Sequence, residues 1–510
     1  MNTRKKDKTT PIIIGIGQTT HRQKIENPNF TVFDMIKDAV EQCAADTGKA
    51  DILSSLDSLD SLVLVNSQST ALNDTPLAHL CGTLNIDPPI KEETAIGGNT
   101  PQWLVNRAAD QISAGTIRTT LLVGGEALYH HHRKNVMEIH FKNLARLNAD
   151  PGIIGSKREG CSAHEALHHM DLAPCVYPLF ENALRYHLKM DIPAHQAYLD
   201  TYYRQMAQIA TTVPGAWYQN SPVPQDITVP RPENRMIAFP YTKDMNPNPF
   251  VNQAAAILLT NVETARQLEI PQEKWVYPIG GAEATDKWMV SERVNYHTSP
   301  AITNIVKTSL AMAQKTMDDI DFMDLYSCFP CAAVIGANSI GMDIKHPPAP
   351  SIAGGLSFFG GPGNNYTMHA IAQTVSRLRK NPEQCALVTG LGWFLTKHAA
   401  GIYSGVALEK PWHRPFRETL QHSIDAMESP RLTEKPSGRA TVETYTVLRH
   451  YFQEKRKAVP TVIARMDDGT RCLATTPDDT DLYTAMETQE FIGKTGMVSP
   501  GNGGPNLIRF

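Results

Sequence analysis

The chain has 510 residues, 41% of them hydrophobic and 20% charged, with a formal net charge of −4. That length supports two or three domains around a sizeable core. The near-neutral charge argues against a nucleic-acid binder working through bulk electrostatics. No run of about eighteen apolar residues is present to span a membrane, so a cytoplasmic protein is expected.

The basic start, Met1 to Lys8, reads as a disordered lead-in and not a secretory signal, because no long apolar segment follows it. Pro11 to Gly17 is a continuous apolar run ending in glycine, the mark of a strand buried on both faces. Thr31 to Thr47 carries Val32, Phe33, Ile36, Ala39, Val40, Cys43 and Ala44 at helical spacing. A second buried strand runs from Leu59 to Val65. The chain is organised around the next stretch, Thr94-Ala-Ile-Gly-Gly-Asn-Thr-Pro-Gln102. This glycine-rich turn opens an apolar helix that ends at Gly115, and the strand Thr119 to Val123 follows, closed by Gly124-Gly125. Such a turn gathers backbone N–H groups and the positive end of the helix dipole at one point, which suits an anion or an oxyanion.

From about 129 to 247 the pattern loosens into a region rich in His, Pro, Asn and Tyr, with helical pieces at Glu181 to Leu188 and Ala194 to Ala210. It reads as an insertion over one end of the sheet. Asn252 to Thr260 returns as a buried strand. The early order then repeats. A helix spans Ala301 to Thr316, and Ile320 to Leu325 matches Leu56 to Leu62 in its Asp-apolar rhythm. Gly354-Gly355 through Gly363 and a helix from Met368 to Leu378 echo the Gly97-Gly98 turn, and Ala386 to Gly390 echoes Leu121 to Gly125. Two copies of one unit imply a pseudo-twofold α/β fold of layered helices and sheets. Pro411 to Pro436 reads as a linker. Beyond it come strands at Thr441 to Arg449, Thr461 to Met466 and Arg471 to Thr475, the last two joined by the tight turn Asp468-Gly469. A short helix at Asp481 to Glu487 and strands near Gly496 to Val498 and Leu507-Ile508 suggest a small OB-type barrel.

The eight cysteines are dispersed, as expected of a reduced chain. Cys328-Phe-Pro-Cys331 has CxxC spacing, but no second pair supplies the remaining ligands of a zinc site, so it reads as structural.

The order of elements, with Asn234 to Lys243, Asp324 to Phe329, Gly354 to Gly363, Gly390-Leu-Gly-Trp393 and Thr396-Lys-His398, resembles the thiolase superfamily, in its sterol-carrier-type and type 1 thiolase-like branch. The resemblance implies an α/β fold: a duplicated, layered thiolase core with an inserted loop domain and a C-terminal OB-like module. It places an N-terminal half at 10–265, including the insertion, a C-terminal half at 266–405, a linker at 406–436 and the module at 437–510. It also implies a coenzyme A thioester as substrate or ligand, with no permanently bound cofactor and no metal.

Carried over by position, the family's nucleophilic cysteine falls on Gly98. Its oxyanion motif falls on Tyr326 to Phe329, its Gly-His-Pro histidine on Gly361, and its second cysteine near Thr389 or Gly390. None of these groups is retained, so the two-step thiolysis of a thiolate enzyme is not expected. The remaining candidates are Tyr326, Cys328, Tyr366 and His369 for acid–base work. Gly98, Asn99 and Thr100 would hold the oxyanion, and Gly360, Gly361 and Gly363 would contact the coenzyme.

Two other signals point elsewhere. His164 to His168 matches HExxH, a zincin signature when set in a long helix, but it lies among Gly160, Cys161 and Pro174 with no such helix. Tyr129 to Lys134 reads as a solvated loop edge, and the basic Lys455-Arg-Lys457 fits a docking or acyl-CoA-associated role, with Asp467, Asp468, Asp478, Asp479 and Asp481 opposing a nucleic-acid field. Two functions stay open: an enzyme acting on acyl-CoA by nucleophile-free carbon–carbon chemistry, and a degenerate thiolase serving as a CoA- or lipid-binding protein or scaffold. A homodimer or an acyl-CoA-processing partner subunit fits either function. A nucleic-acid partner is not expected.

Overall fold

The computed structural model describes residues 7–23, 27, 29–55, 59–131, 136–414, 417–449 and 458–510. The start of the lead-in, the end of the His-rich run and the basic 455–457 cluster lie outside these. The first half runs β1 (Pro11–Thr20), α1 (Val32–Asp46), β2 (Ser61–Leu64), β3 (Ile90–Thr94), α2 (Thr100–Ala114) and β4 (Thr119–Ala127). An insertion follows, with α3 (Val136–Ala149), β5 (Ile153–Ile154), α4 (Ala173–His187), α5 (Ile192–Thr212) and the hairpin β6 (Met236–Ala238) and β7 (Tyr241–Thr242). Strand β8 (Asn252–Asn261) returns to the core. The second half runs β9 (Tyr277–Thr285), α6 (Pro300–Ala313), β10 (Phe322–Asp324), α7 (Pro330–Ser339), α8 (Tyr366–Lys380), β11 (Cys385–Gly392) and β12 (Lys397–Ser404). The tail contributes β13 (Gly438–Leu448), β14 (Val459–Met466), β15 (Arg471–Ala474), α9 (Thr480–Thr488), β16 (Thr495–Ser499) and β17 (Leu507–Arg509).

The duplication is explicit in the pairing. The first sheet has the order β1-β8-β4-β2-β3-β5 and the second β10-β11-β12-β9. In the first, β2 and β4 are parallel while β4–β8 and β8–β1 are antiparallel. In the second, β10 and β11 are parallel while β11–β12 and β12–β9 are antiparallel. Helices α2 and α8 touch both sheets and each other, α1 covers β1 and β8, and α6 covers β9 and β12. The layering is helix, sheet, helix, sheet, helix. The middle layer explains why α8 is buried nearly all round, from Tyr366 to Leu378. It also explains why β4 and β8 are buried along their whole lengths.

Strands β3, β9 and β12 escape the sequence pattern for identifiable reasons. Strand β3 carries Glu92 and Glu93, which pair with Arg107 and Arg146. Strand β9 contains Gly280-Gly281. Here the glycines let helices press onto the strand: a Cβ on Gly280 would lie 2.2 Å from Ser309 O, and one on Gly281 2.4 Å from Asn106 Oδ1. Strand β12 opens with buried Lys397 and His398. Residues 411–436, expected as a linker, contain the helix Arg417–Asp425. Trp412 Nε1 donates to Asp110 Oδ1 at 2.7 Å, and Arg414 pairs with both Asp110 and Glu283.

The C-terminal sheet follows the path β15-β14-β13-β16-β17, and Thr475 bridges Leu507 so that its two ends meet. The insertion joins it through β6, where Ala238 pairs with Leu448 and Phe239 N donates to Val447 O at 3.0 Å. Polar contacts bind this sheet to the core. Buried Arg185 pairs with Glu490, Arg471 donates to Ser291 O and Arg293 O at 2.8 and 2.6 Å, and Asn182 donates to Tyr445 O at 2.9 Å.

Candidate active site

The glycine-rich turn lies at the N-terminus of α2, as its sequence implies, and its surroundings decide its chemistry. A Cβ on Gly98 would lie 2.3 Å from Tyr326 Oη and 2.5 Å from Leu391 O. The tyrosine hydroxyl therefore occupies the space that a cysteine side chain would need. Tyr326 is fixed there by its N–H, which donates to Thr389 Oγ1 at 2.9 Å. Gly390, the other position assigned to the second cysteine, packs against Asn99, whose Cα would be 2.8 Å from an added Cβ. The void lined by Tyr326, Thr389, Gly390 and Leu391 measures about 10 Å³, the scale of a single water.

Tyr326 and Tyr366 meet edge to face with ring centroids 5.7 Å apart. Tyr366 is fully buried at the start of α8; its hydroxyl accepts from Gly355 N at 3.2 Å and donates to Asp324 Oδ2 at 3.4 Å. Asp324 also accepts from Ser351 Oγ and Ile352 N. Burial raises its carboxyl to about 6, against the lowering effect of those hydrogen bonds. Cys328 is buried beside Tyr177, and burial pushes its thiol up to about 12, so it is protonated near neutrality. Its CxxC partner Cys331 accepts from Tyr241 Oη at 3.4 Å within the core.

His369 turns to the other half of the molecule. Its Nδ1 lies 2.9 Å from Gln18 Oε1 on β1, and its Nε2 has no hydrogen-bond partner among the described residues. Burial lowers the ring to about 3, so it is neutral. Tyr366 and His369 are thus tied to different partners, with the Phe359 ring against both at 5.7 and 5.1 Å. Gly360, Gly361 and Gly363 pack onto Gln253, Asn248 and Glu126, where an added Cβ would lie 2.4, 3.3 and 2.8 Å from the nearest atoms. Thr100 is buried, and its N–H donates to Gly97 O at 3.0 Å.

Several residues at the site were not singled out from the sequence. Thr367 donates to Gly98 O at 2.8 Å, and Asn364 accepts from Gly97 N at 3.0 Å. Lys397, named in the sequence only within the motif that carries the resemblance and given no role there, donates to Ile96 O. A lysine opening an otherwise apolar strand, Lys-His-Ala-Ala-Gly-Ile-Tyr, was the available signal. Glu126, fully buried at the end of β4, accepts from Gln68 N, Ser69 N and Ser69 Oγ, and burial lifts it to about 7.

A cavity of about 770 Å³ opens between the insertion and the helix Gly355–Phe358. Trp217, Tyr218, Phe250 and Phe358 supply apolar walls, with Arg235 and Lys243 as cations. This volume suits a medium-sized organic ligand. The same four-residue helix links the two regions: Phe358 faces the cavity, and Gly355 N meets Tyr366.

The HExxH segment forms the five-residue helix Ala163–Leu167. Glu165 accepts from Ser162 N and Ser291 N. His168 Nδ1 bonds His164 O at 2.8 Å while its Nε2 accepts from Asn506 N at 3.0 Å. Glu165 and His168 are thus engaged in packing, while His164 Nε2 is buried without a hydrogen-bond partner among the described residues.

Comparison with known proteins accords with this architecture. Residues 419–502 match the family model described as the additional C-terminal domain of thiolase-like protein type 1. The whole chain is similar to a monomeric SCP2-thiolase-like protein type 1 from Mycobacterium smegmatis, at 29% identity and a TM-score of 0.82 over 99% of both chains. At 16% identity it shares the fold of the Ltp2-ChsH2(DUF35) aldolase, with a TM-score of 0.56 over 78% of this chain and 98% of that one. At 14% it shares the fold of the dimeric peroxisomal thiolase of Saccharomyces cerevisiae, with a TM-score of 0.53 over 78% and 97%. No curated protein matches. No helix among the described residues is long and apolar enough to cross a membrane. The chain therefore has the thiolase fold, and its tail matches the additional C-terminal domain of thiolase-like protein type 1.

Proposed function

We propose that this protein binds an acyl-CoA thioester in the cavity beside Phe358 and forms no acyl-enzyme. The observation that carries this reading is the Tyr326 hydroxyl standing where a nucleophile on Gly98 would project. Arg235 and Lys243 offer charge to the phosphates, and the aromatic walls offer surface to the pantetheine and acyl portions. The coenzyme is a ligand or substrate here, not a resident group. The free cysteines accord with a reducing, cytoplasmic setting. The path of β13 to β17, closed at Thr475 and Leu507, supports an OB-type module serving as a fixed part of the molecule.

Calorimetric titration with acetyl-CoA, a long-chain acyl-CoA and free CoA tests this. Micromolar binding, weakened tenfold or more in Arg235→Ala, is expected. Absence of binding to all three overturns the reading.

A second reading, carbon–carbon bond chemistry on the bound thioester, is favoured by the Tyr366–Asp324 contact. A carboxyl near 6 hydrogen-bonded to a tyrosine hydroxyl can donate and accept a proton without a nucleophile. Tyr366→Phe should then abolish turnover and leave binding intact.

A further inference from the structure

The cavity beside Phe358 is bounded on one side by the hairpin β6–β7, and that hairpin is polarised along its length. At its open end Lys243 N donates to Arg235 O at 2.8 Å, which brings the two cationic residues of the cavity side by side. Three residues along from Arg235, Ala238 pairs with Leu448, the last residue of β13. Ala238 and Leu448 both line the cavity, and so do Leu172 and Cys175 at the start of α4. Cys175, Ala238 and Leu448 form, with Val459 at the start of β14, a small apolar cluster against which Leu172 packs, separate from the two large cores.

This end wall is preformed. Arg449 N donates to Ile237 O at 2.8 Å, and Arg449 Nε donates to Glu487 Oε1 at 2.7 Å. At the hairpin tip, Thr446 Oγ1 and Asn182 Nδ2 donate to Phe239 O at 2.8 and 3.2 Å. Backbone and polar bonds thus fix the hairpin to the tail sheet, and the apolar side chains beside them are left with a cavity to line. Leu172 and Ile237 are only half-buried there. Protein interiors are close-packed, so apolar walls around about 770 Å³ of unfilled space are the setting for the apolar part of a ligand. Leu448, 2% exposed, stands behind that wall as its backstop.

We infer that the acyl chain of the bound thioester runs along β6 away from Arg235 and Lys243 and ends at the seam between insertion and tail, with Leu448 closing the chamber. This rests on the proposed thioester ligand and names its class: thioesters whose acyl chain is long enough to fill the apolar end, which an acetyl group leaves empty. Leu448 is then a specificity-determining residue, and the tail sheet is part of the acyl site. Truncating Leu448 deepens the chamber, and enlarging it crowds the end of the chain.

The test irradiates the full chain with dodecanoyl-CoA carrying a diazirine at the far end of its chain, and separately with the corresponding free diazirine acid, and maps adducts by mass spectrometry. Adducts on residues 172–175, 237–238 and 448, suppressed by excess dodecanoyl-CoA, are expected. Calorimetry then compares acetyl-, dodecanoyl- and hexadecanoyl-CoA. Leu448→Phe should weaken dodecanoyl-CoA about tenfold and acetyl-CoA less than about twofold, and Leu448→Ala should shift the preference toward hexadecanoyl-CoA. Equal losses for all three esters, or no adduct from either probe, overturn the inference. Binding of dodecanoyl-CoA with adducts elsewhere removes the seam and keeps the thioester ligand. Adducts at the seam from the free acid, with no binding of any CoA ester, keep the acyl chamber and remove the coenzyme. Circular dichroism on both variants separates a change of fit from unfolding, and Leu448→Ala, which adds no bulk, carries the comparison if Leu448→Phe does not fold.

Discussion

His168 Nε2 accepts a hydrogen bond from the backbone N–H of Asn506 at 3.0 Å, across 338 residues of sequence. Its other nitrogen is fixed by His164 O, and Thr461 Oγ1 donates to its carbonyl. The histidine joins the insertion to the last residues of the C-terminal sheet.

Replacing His168 with Ala leaves the Asn506 N–H buried without an acceptor, which should cost about 1–3 kcal/mol. Denaturant titration measures the loss. Burial lowers this ring from 6.5 to about 4. Between those values the unfolded chain binds a proton that the folded chain refuses. Stability from this group is therefore complete above pH 6.5 and declines as pH falls toward 4. His168→Ala should remove that portion of the pH dependence.

Restoring the missing thiol should not restore thiolysis. In Gly98→Cys the new Cβ meets Tyr326 Oη and Leu391 O, an overpacking expected to cost about 1–3 kcal/mol. Tyr326→Ala relieves the first of those contacts. The double variant should be more stable than the sum of the single losses, by about 1 kcal/mol in a double-mutant cycle.

Glu126 gives a pH signature of opposite sign. Its folded carboxyl is raised from 4.5 to about 7 by burial. Between these values the folded state holds a proton that the unfolded state has released, so stability is present below about 4.5 and is lost as pH rises through 7. One group of this kind contributes up to about 3 kcal/mol. Glu126→Gln should flatten the thermal-stability profile over that interval.

The chain should sediment as a monomer. The outer edge of β3 is paired with β5, and the α3 residues Arg146 and Asn143 bind Glu93 and Asn66 over it. A covered edge offers no template for another copy. Sedimentation velocity checks this, and Arg146→Ala should raise self-association by loosening the cover.

Much of this architecture was legible in the sequence because its signals were local. Buried runs such as Leu121-Leu-Val123, the helical period of α1 and the repeat of two Gly-rich turns each follow from neighbouring residues. The strands that hid, β3 and β9, depend on distant partners: Arg146 for Glu93, and Asn106 for Gly281. The site behaved similarly. That Gly98 lacks a thiol was readable, but the tyrosine filling its space arrives from 228 positions further along. Lys397 stood in a motif noted for its resemblance, and only the bend at Trp393 and Leu395 places its amine at the turn. The HExxH segment shows the reverse: three matched letters suggested a chemistry that the short helix and its packing do not support.

The hairpin β6–β7 belongs by sequence to the insertion and by pairing to the C-terminal sheet. A protease cut anywhere from 406 to 436 would therefore sever the covalent thread without releasing either piece. Ala238 would stay in register with Leu448, and Arg185 with Glu490. Deleting the tail would strip β6 of β13, take Glu490 from buried Arg185 and take the Tyr445 carbonyl from Asn182. The tail is therefore no detachable cassette: shortened forms of this protein should fail to accumulate, whereas nicked forms should survive as two-piece assemblies.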